Sequence, residues 1–355
     1  MTSLYDLDRD ELGALLPDQP RYRLDQVWKG LYERVVEPEA LTDVPIAVRQ
    51  LLRERVPPAL SAITESTSDD GDTVKWLWRL PDGLAIETVL MRYDRRTTVC
   101  VSTQAGCAMA CSFCATGQAG FDRHLTTGEI VEQVVHAIRR ARPHRVSNVV
   151  FMGMGEPLAN FGPVWGAVER LQGAIGISAR HLTISTVGLV PGIRRLAAAP
   201  LPVNLAVSLH AANDDLRDRI VPINRRYPLA DLAAVCEEYL EAKNRRLSLE
   251  WAMIGGMNDG ATDARELAEF AGPLRAHVNL IPLNPTPGYG LPGSPPERVR
   301  WFRDQLEQSG VRATIRANRG TDIDAACGQL RATHDIPVRT PPPDDRPCHA
   351  HHPEG

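Results

Sequence analysis

Three cysteines stand within eight residues, Cys107, Cys111 and Cys114, in the spacing CxxxCxxC. Thiols at that density suit a metal centre better than a disulfide framework. Three of them suit a 4Fe-4S cluster in which one iron keeps no protein ligand and can bind a substrate or cofactor. A structural zinc is the competing reading. It would want four ligands, and no nearby Cys or His has the usual spacing to supply the fourth. About forty residues further on stands Gly153-Met154-Gly155-Glu156-Pro157. A glycine pair there is either an ordinary turn or a place where the backbone must come close to a ligand.

Both motifs need elements to hold them. Residues 98–102 read as a strand ending just before Cys107, and 148–152 as a second ending at Gly153. From there strands and helices alternate: 127–141 after the first strand, 161–172 after the second, then 181–186 with 192–198, 204–210 with 229–243, 247–254 with 263–274, and 278–283 with 296–309. Such alternation implies parallel strands with crossover helices. Six units make a partial (βα)6 TIM-like barrel of α/β class, with its chemistry on the loops after the strand C-termini. Residues 311–317 read as one further strand, followed by the loop that carries Cys327.

Ahead of the barrel (96–330), residues 1–60 read as a small helical domain, with Tyr22, Val27, Trp28, Leu31 and Tyr32 as its apolar stripe. Residues 61–95 read as a hairpin linker around the turn Pro81-Asp82-Gly83. The tail, 331–355, is expected to be disordered, and its Cys348, His349, His351 and His352 to be a frayed polar end.

The chain has 355 residues, 43% apolar, enough for one large core. It contains no apolar run of eighteen, and its acidic start, MTSLYDLDRDELGALL, does not read as a signal or transit peptide. With an odd count of seven cysteines, the expected compartment is the reducing cytoplasm. A net charge of -4 gives no overall nucleic-acid footprint. Local basic clusters could still make a basic face: Arg139, Arg140, Arg142 and Arg145; Arg217, Arg219, Arg225 and Arg226; Lys243, Arg245 and Arg246. Each also reads as a solvated helix face.

CxxxCxxC with Phe113 before its last cysteine resembles the radical S-adenosylmethionine superfamily. Five further segments narrow this: Ile86-Glu87-Thr88-Val89, the run from Cys100 to Cys107, Ser208-Leu209-His210, Ile281-Pro282-Leu283-Asn284-Pro285, and the run from Arg319 to Leu330. Together they resemble the RlmN/Cfr family of RNA adenine methyltransferases over nearly the whole chain, most like the RlmN branch.

The resemblance implies methylation of adenine C2 in 23S ribosomal RNA, with transfer RNA as a second substrate. It implies two S-adenosylmethionine molecules per turnover. One methylates the Cys327 thiolate, and the other gives the 5'-deoxyadenosyl radical that removes hydrogen from that methyl. Such a detour is needed because C2 is too electron-poor to attack a methyl group directly. The resulting carbon radical adds to the adenine. Glu87 then removes the C2 proton, and Cys100 attacks Cys327 sulfur to release product as a disulfide forms.

The resemblance also gives Cys107, Cys111 and Cys114 to the cluster. It gives cofactor contacts to Glu156, Pro157, Ser185, Ser208, Leu209, His210 and Asn284. The helical domain is expected to contact RNA, an electron donor such as flavodoxin or ferredoxin to supply reducing equivalents, and the protein to be a monomer without a membrane partner. Without the resemblance, Cys100 reads as a small core residue, Glu87 as a surface carboxylate, His210 as a satisfied core histidine and Cys236 as helix packing. Rival functions are Cfr-like methylation at C8, a radical activase of a partner protein, and plain electron transfer.

Overall fold

The computed structural model describes residues 3–330 apart from 285, 287, 288, 318 and 326–328, so Cys327 and the tail 331–355 lie outside the described residues. Helices α1 (Arg9–Ala14), α2 (Arg21–Tyr32) and α3 (Ile46–Arg55) come first. Strands β1 (Ser61–Ser68), β2 (Thr73–Arg79), β3 (Ala85–Tyr93) and β4 (Arg96–Cys100) follow as an antiparallel meander. A short excursion of β5 (Gln104–Gly106), α4 (Ala115–Ala119) and β6 (Phe121–His124) leads into the alternating part. That part runs α5 (Thr127–Ala141), β7 (Asn148–Phe151), α6 (Phe161–Gly173), β8 (Leu182–Thr186), α7 (Val190–Ala198), β9 (Asn204–Ser208), α8 (Asp214–Ile220) and α9 (Leu229–Lys243). It closes with β10 (Leu247–Met253), α10 (Ala261–Ala271), β11 (His277–Pro282), α11 (Pro296–Gln308) and β12 (Ala313–Ile315).

Ten strands form one sheet in the order β1-β2-β3-β4-β7-β8-β9-β10-β11-β12. From β4 to β12 neighbouring strands are parallel and sequence order equals spatial order, as repeated βα crossovers require. This is the expected partial barrel, and β12 is the further strand expected at 311–317. The hairpin leading into the barrel pairs with it: β3 lies directly beside β4, so β1 to β3 extend the same sheet.

The strands alternate bulky and small. On β10, Leu249 and Trp251 are fully buried in the main core, whereas Glu250 and Ala252 line a cavity on the concave side. Outside the sheet, α5 shows why the helices form. Thr126 and Glu129 make a reciprocal capping box, and Ile130, Val131, Val134 and Val135 present one buried stripe.

The N-terminal helices pack into the same core through Leu12, Val27, Leu31 and Leu52. Tyr22 departs from the expected stripe and is 57% exposed. Buried Glu132 of α5 accepts the Ala59 and Leu60 N–H groups at 2.9 and 3.2 Å, joining the helical segment to the barrel.

Candidate functional site

The cluster loop hangs between β5 and α4. Cys107 N–H donates to the Gly120 carbonyl at 2.6 Å, Cys114 N–H to the Cys111 carbonyl at 3.1 Å, and Ser112 N–H to the Ile220 carbonyl at 3.2 Å. Its underside is a small apolar cluster in which Cys111 and Phe113 meet Leu216, Ile220 and Ile254. Gly106 has φ +75, and a side chain there would meet the Gly120 carbonyl at 2.1 Å, so the loop can close only on glycine.

All three cysteines line one cleft of about 1060 Å³, open mouth included. Burial pushes the Cys107 thiol up to about 12 and raises Cys111 well above the ordinary thiol range, with the neighbouring sulfurs adding to both shifts. Thiols that oppose one another's ionisation are stabilised as thiolates by a cationic group placed among them. No three His, Cys, Asp or Glu side chains among the described residues gather as a single metal ion would need. A 4Fe-4S cluster asks for something different, one thiolate at each of three separate iron corners, and this all-sulfur set fits that chemistry.

Gly153, Gly155, Glu156 and Pro157 line the opposite wall. The glycines have a reason the sequence did not reveal, namely close approach to the β4–β5 connection. A Cβ on Gly153 would lie 2.8 Å from the Val101 carbonyl, and one on Gly155, at φ +101, would lie 2.5 Å from Gln104 Cβ. Buried Glu156 accepts N–H groups of Leu158 at 3.0 Å and Val187 at 2.9 Å, and burial raises its carboxyl to about 7.

Ser185 and Ser208 stand 3.4 Å apart, oxygen to oxygen, on β8 and β9. His210, at φ +60, packs edge-on to Phe113 with ring centroids 4.7 Å apart. Its Nδ1 accepts the Ala252 N–H at 2.9 Å, and burial, then Arg217, lowers its pKa to about 3. The imidazole is therefore neutral with its proton on Nε2, a donor on the cleft wall. Leu209 is buried away from the cleft, its N–H donating to the Glu250 carbonyl and its carbonyl accepting from Arg217. Asn284 is buried just past β11, beside the cleft residue Leu283.

Comparison with known proteins gives a consistent answer. Residues 101–271 match the radical SAM superfamily model. A probable dual-specificity RNA methyltransferase RlmN of Frankia alni is 51% identical over 346 residues, 93% of this chain and 83% of the relative. Dual-specificity RNA methyltransferase RlmN 1 of Myxococcus xanthus is 50% identical, over 93% of this chain and 94% of its own. The chain belongs to the RlmN family of radical SAM RNA methyltransferases. A crystal structure of a radical SAM methyltransferase from Sphaerobacter thermophilus superimposes with a TM-score of 0.91 at 48% identity, covering 94% of this chain and 100% of that one.

RlmN membership implies a 4Fe-4S cluster and S-adenosylmethionine. Cys107, Cys111 and Cys114 would hold the first, and the wall from Gly153 to His210 has the donors and room for the second.

Strand register places the remaining candidates of this RlmN chain. Thr88 faces the helices, where its Oγ1 donates to Gln133 of α5 at 2.8 Å, so Glu87 points to the concave side. Val89 pairs with Cys100, Cys100 with Val150, Val150 with Thr183 and Ser208 with Glu250, which carries one face across the sheet. Glu87 and Cys100 therefore share the concave face with Ser185 and Ser208. Glu87 is only 5% exposed, not the surface carboxylate its hairpin position suggested.

Most of the basic clusters are structural. Arg139 donates to the Val35 carbonyl at 3.2 Å and Arg142 donates to the Arg34 carbonyl, tying α5 to the N-terminal segment. Arg140 pairs with Glu65, Arg145 donates to the Gly176 carbonyl, and Lys243 and Arg245 hold the Ala199 carbonyl and Asn204. Only Arg219, Arg225, Arg226 and Arg246 of those sets stay exposed without a hydrogen-bonded or ion-paired partner among the described residues.

Arg217 is the largest departure. Read as surface charge, it is fully buried, donating to the carbonyls of Leu209 at 3.1 Å and Val187 at 2.7 Å and to Asn224 Oδ1 at 2.8 Å. Burial lowers its pKa to about 10. The guanidinium fork thus joins the loops after β8 and β9 from beneath the cleft. We expect Arg217→Leu to lower unfolding free energy by on the order of 3 kcal/mol, because it orphans these acceptors. Arg217→Lys should recover only part, lacking the fork. Urea denaturation of the three proteins measures both.

Glu250 and Arg316 also line the cleft and were not singled out in the sequence. Glu250 accepts from Asn279 Nδ2 at 2.7 Å, and burial raises its pKa. Its signal was available: one acid inside the apolar strand LSLEWAM.

Proposed function

We propose that this enzyme methylates C2 of an adenine in 23S ribosomal RNA, and of transfer RNA as a second substrate, through a methylated Cys327. The observation that carries the reading is a buried carboxylate, Glu87, and a buried thiol, Cys100, on the same concave wall as the cofactor residues. Neither a radical activase nor an electron-transfer protein needs that pair. The relatives named dual-specificity RNA methyltransferases support two RNA substrates.

When bound, S-adenosylmethionine supplies a methyl group and, with an electron from the cluster, a carbon-centred radical; two molecules serve each turnover. Cys327 carries the methyl as a thioether and becomes linked through it to adenine. Glu87 takes the C2 proton. Cys100 attacks Cys327 sulfur and forms a disulfide; the sulfur–carbon bond breaks with its electron pair going to the methylene carbon, which takes a proton to become the methyl group, and an external reductant reopens the disulfide. A flavodoxin or ferredoxin is the proposed electron donor, the cytoplasm the compartment and a monomer the working unit. Among the described residues no helix is long and apolar enough to cross a membrane.

The test is anaerobic reconstitution of the cluster, incubation with unmethylated ribosomal RNA and reductant, and nucleoside mass spectrometry. We expect 2-methyladenosine. Appearance of 8-methyladenosine instead would move the enzyme to the Cfr-type reaction, and absence of both would remove the substrate assignment.

For RNA grip, the helical N-terminal domain presents Tyr22 and Ile46, 57% and 65% exposed. Nearer the cleft, Arg219, Arg225 and Arg226 follow the cluster loop's neighbour Ile220 or sit beside it in sequence. Charge reversal of Arg225 and Arg226 should weaken RNA binding and flatten its salt dependence by about one unit of log slope per lost phosphate contact. Filter binding across a salt series reads this directly.

A further inference from the structure

Glu87 has a charged partner that neither the motifs nor the comparisons single out. Lys75 on β2 pairs with Val89 in the strand register, and Leu77 pairs with Glu87, so Lys75 and Glu87 are diagonal neighbours on the concave face. Lys75 Nζ lies 2.9 Å from Glu87 Oε1, with the two side chains 14% and 6% exposed. The same ammonium donates to the Asp324 carbonyl at 3.3 Å.

Asp324 belongs to a segment fastened to the meander. Ser68 Oγ donates to Asp322, Gly320 N–H donates to Asp69 Oδ2 at 3.3 Å, and the Arg319 guanidinium lies over the Tyr93 ring at 4.6 Å. Three residues beyond Asp324 in the chain comes Cys327. One ammonium therefore touches both the carboxylate and the segment leading to the methyl carrier.

A buried ion pair contributes little net stability compared with an apolar pair of the same size, so stability alone gives a weak reason for a lysine here. Holding a carboxylate in one orientation is a better one. We propose that Lys75 is a positioning residue that fixes Glu87 for removal of the C2 proton; this rests on the reading above that Glu87 is the base. In that step the C2–H bond breaks, the proton moves to Glu87, the bonding pair stays in the adenine–methylene unit, and the unpaired electron left there by radical addition would return to the cluster that supplied it. Lys75 keeps its own proton throughout.

The test compares Lys75→Met and Lys75→Arg with wild type and Glu87→Gln in the reconstituted enzyme. Readouts are methylation of Cys327, 5'-deoxyadenosine release, covalent protein–RNA species on denaturing gels, and the rate with adenine deuterated at C2. Misplacing a base by about 1 Å costs on the order of 100-fold. Lys75→Met should methylate Cys327 and release 5'-deoxyadenosine normally, accumulate the covalent species, and slow product release by that order. Deuterium at C2 should slow it further than wild type, and Lys75→Arg should restore much of the rate.

Product release at the wild-type rate in Lys75→Met would overturn the proposal. So would a uniform loss of every readout with a lowered urea midpoint, which marks a merely structural lysine. If Glu87→Gln accumulates the covalent species and Lys75→Met does not, the Lys75 role alone falls. If Glu87→Gln releases product normally, the base assignment falls and takes Lys75 with it.

Discussion

Cys327→Ala is expected to form no methyladenosine, while still binding its cluster and S-adenosylmethionine. Adenine C2 lies between two ring nitrogens and is electron-poor, so it cannot take a methyl group by attacking it. The methyl must first sit on a nucleophile, and a thiolate is the side chain suited to accept it. On the proposed route, removing that sulfur removes the carrier rather than slowing a step, so the loss should be complete by nucleoside mass spectrometry.

The substitution should leave its surroundings in place. On one side, Gly320 to Asp324 are tied to Asp69, Ser68 and Lys75. On the other, the Leu330 carbonyl accepts from Thr116, in the helix that begins one residue after Cys114. Visible absorption of the reconstituted cluster should therefore match wild type, and peptide mass spectrometry should find the extra methyl only in wild type. Methyladenosine formed by Cys327→Ala would show that another residue carries the methyl and would sink the proposed route.

Much of this architecture is legible in the sequence because it follows from periodicity and punctuation. Residues 148–152 and 204–210 read as strands because short apolar runs end at glycine or polar residues, and the observed strands Asn148–Phe151 and Asn204–Ser208 lie within them. The cluster loop is legible because cysteine spacing is local. β1 was not foreseen: SAITESTS lacks an apolar face and is held by pairing with β2.

Charge was the weakest guide, since a sequence cannot tell a solvated arginine from one that caps carbonyls. Arg139, Arg142 and Arg217 look like Arg225 in the sequence, yet each holds backbone carbonyls, Arg217 from the buried interior. The burial of Glu87 was invisible for a related reason. It follows from which neighbour each strand takes and in what register, which is long-range information.

Glu87→Gln is expected to trap the enzyme on its RNA, lowering product release by about 10²- to 10⁴-fold, the usual contribution of a general base. Glutamine keeps the shape of the side chain and can still accept from Lys75, but it cannot take a proton. Cys100→Ala should trap a covalent species too, since nothing would attack Cys327 sulfur, so accumulation alone does not separate the two roles. Deuterium at C2 does. With adenine deuterated at C2, the species trapped by Cys100→Ala retains its base and should have lost that deuterium. The species trapped by Glu87→Gln should keep it, because no neighbouring group removes it. Mass spectrometry of the nucleotide adduct reads whether the label is lost or kept. Loss in Cys100→Ala with retention in Glu87→Gln assigns the proton to the carboxylate and the sulfur exchange to the thiol. Loss in both would reduce Glu87 to the buried partner of Lys75 and require another base on the concave wall, where, among the described residues, Glu250 is the remaining carboxylate at the cleft besides Glu156.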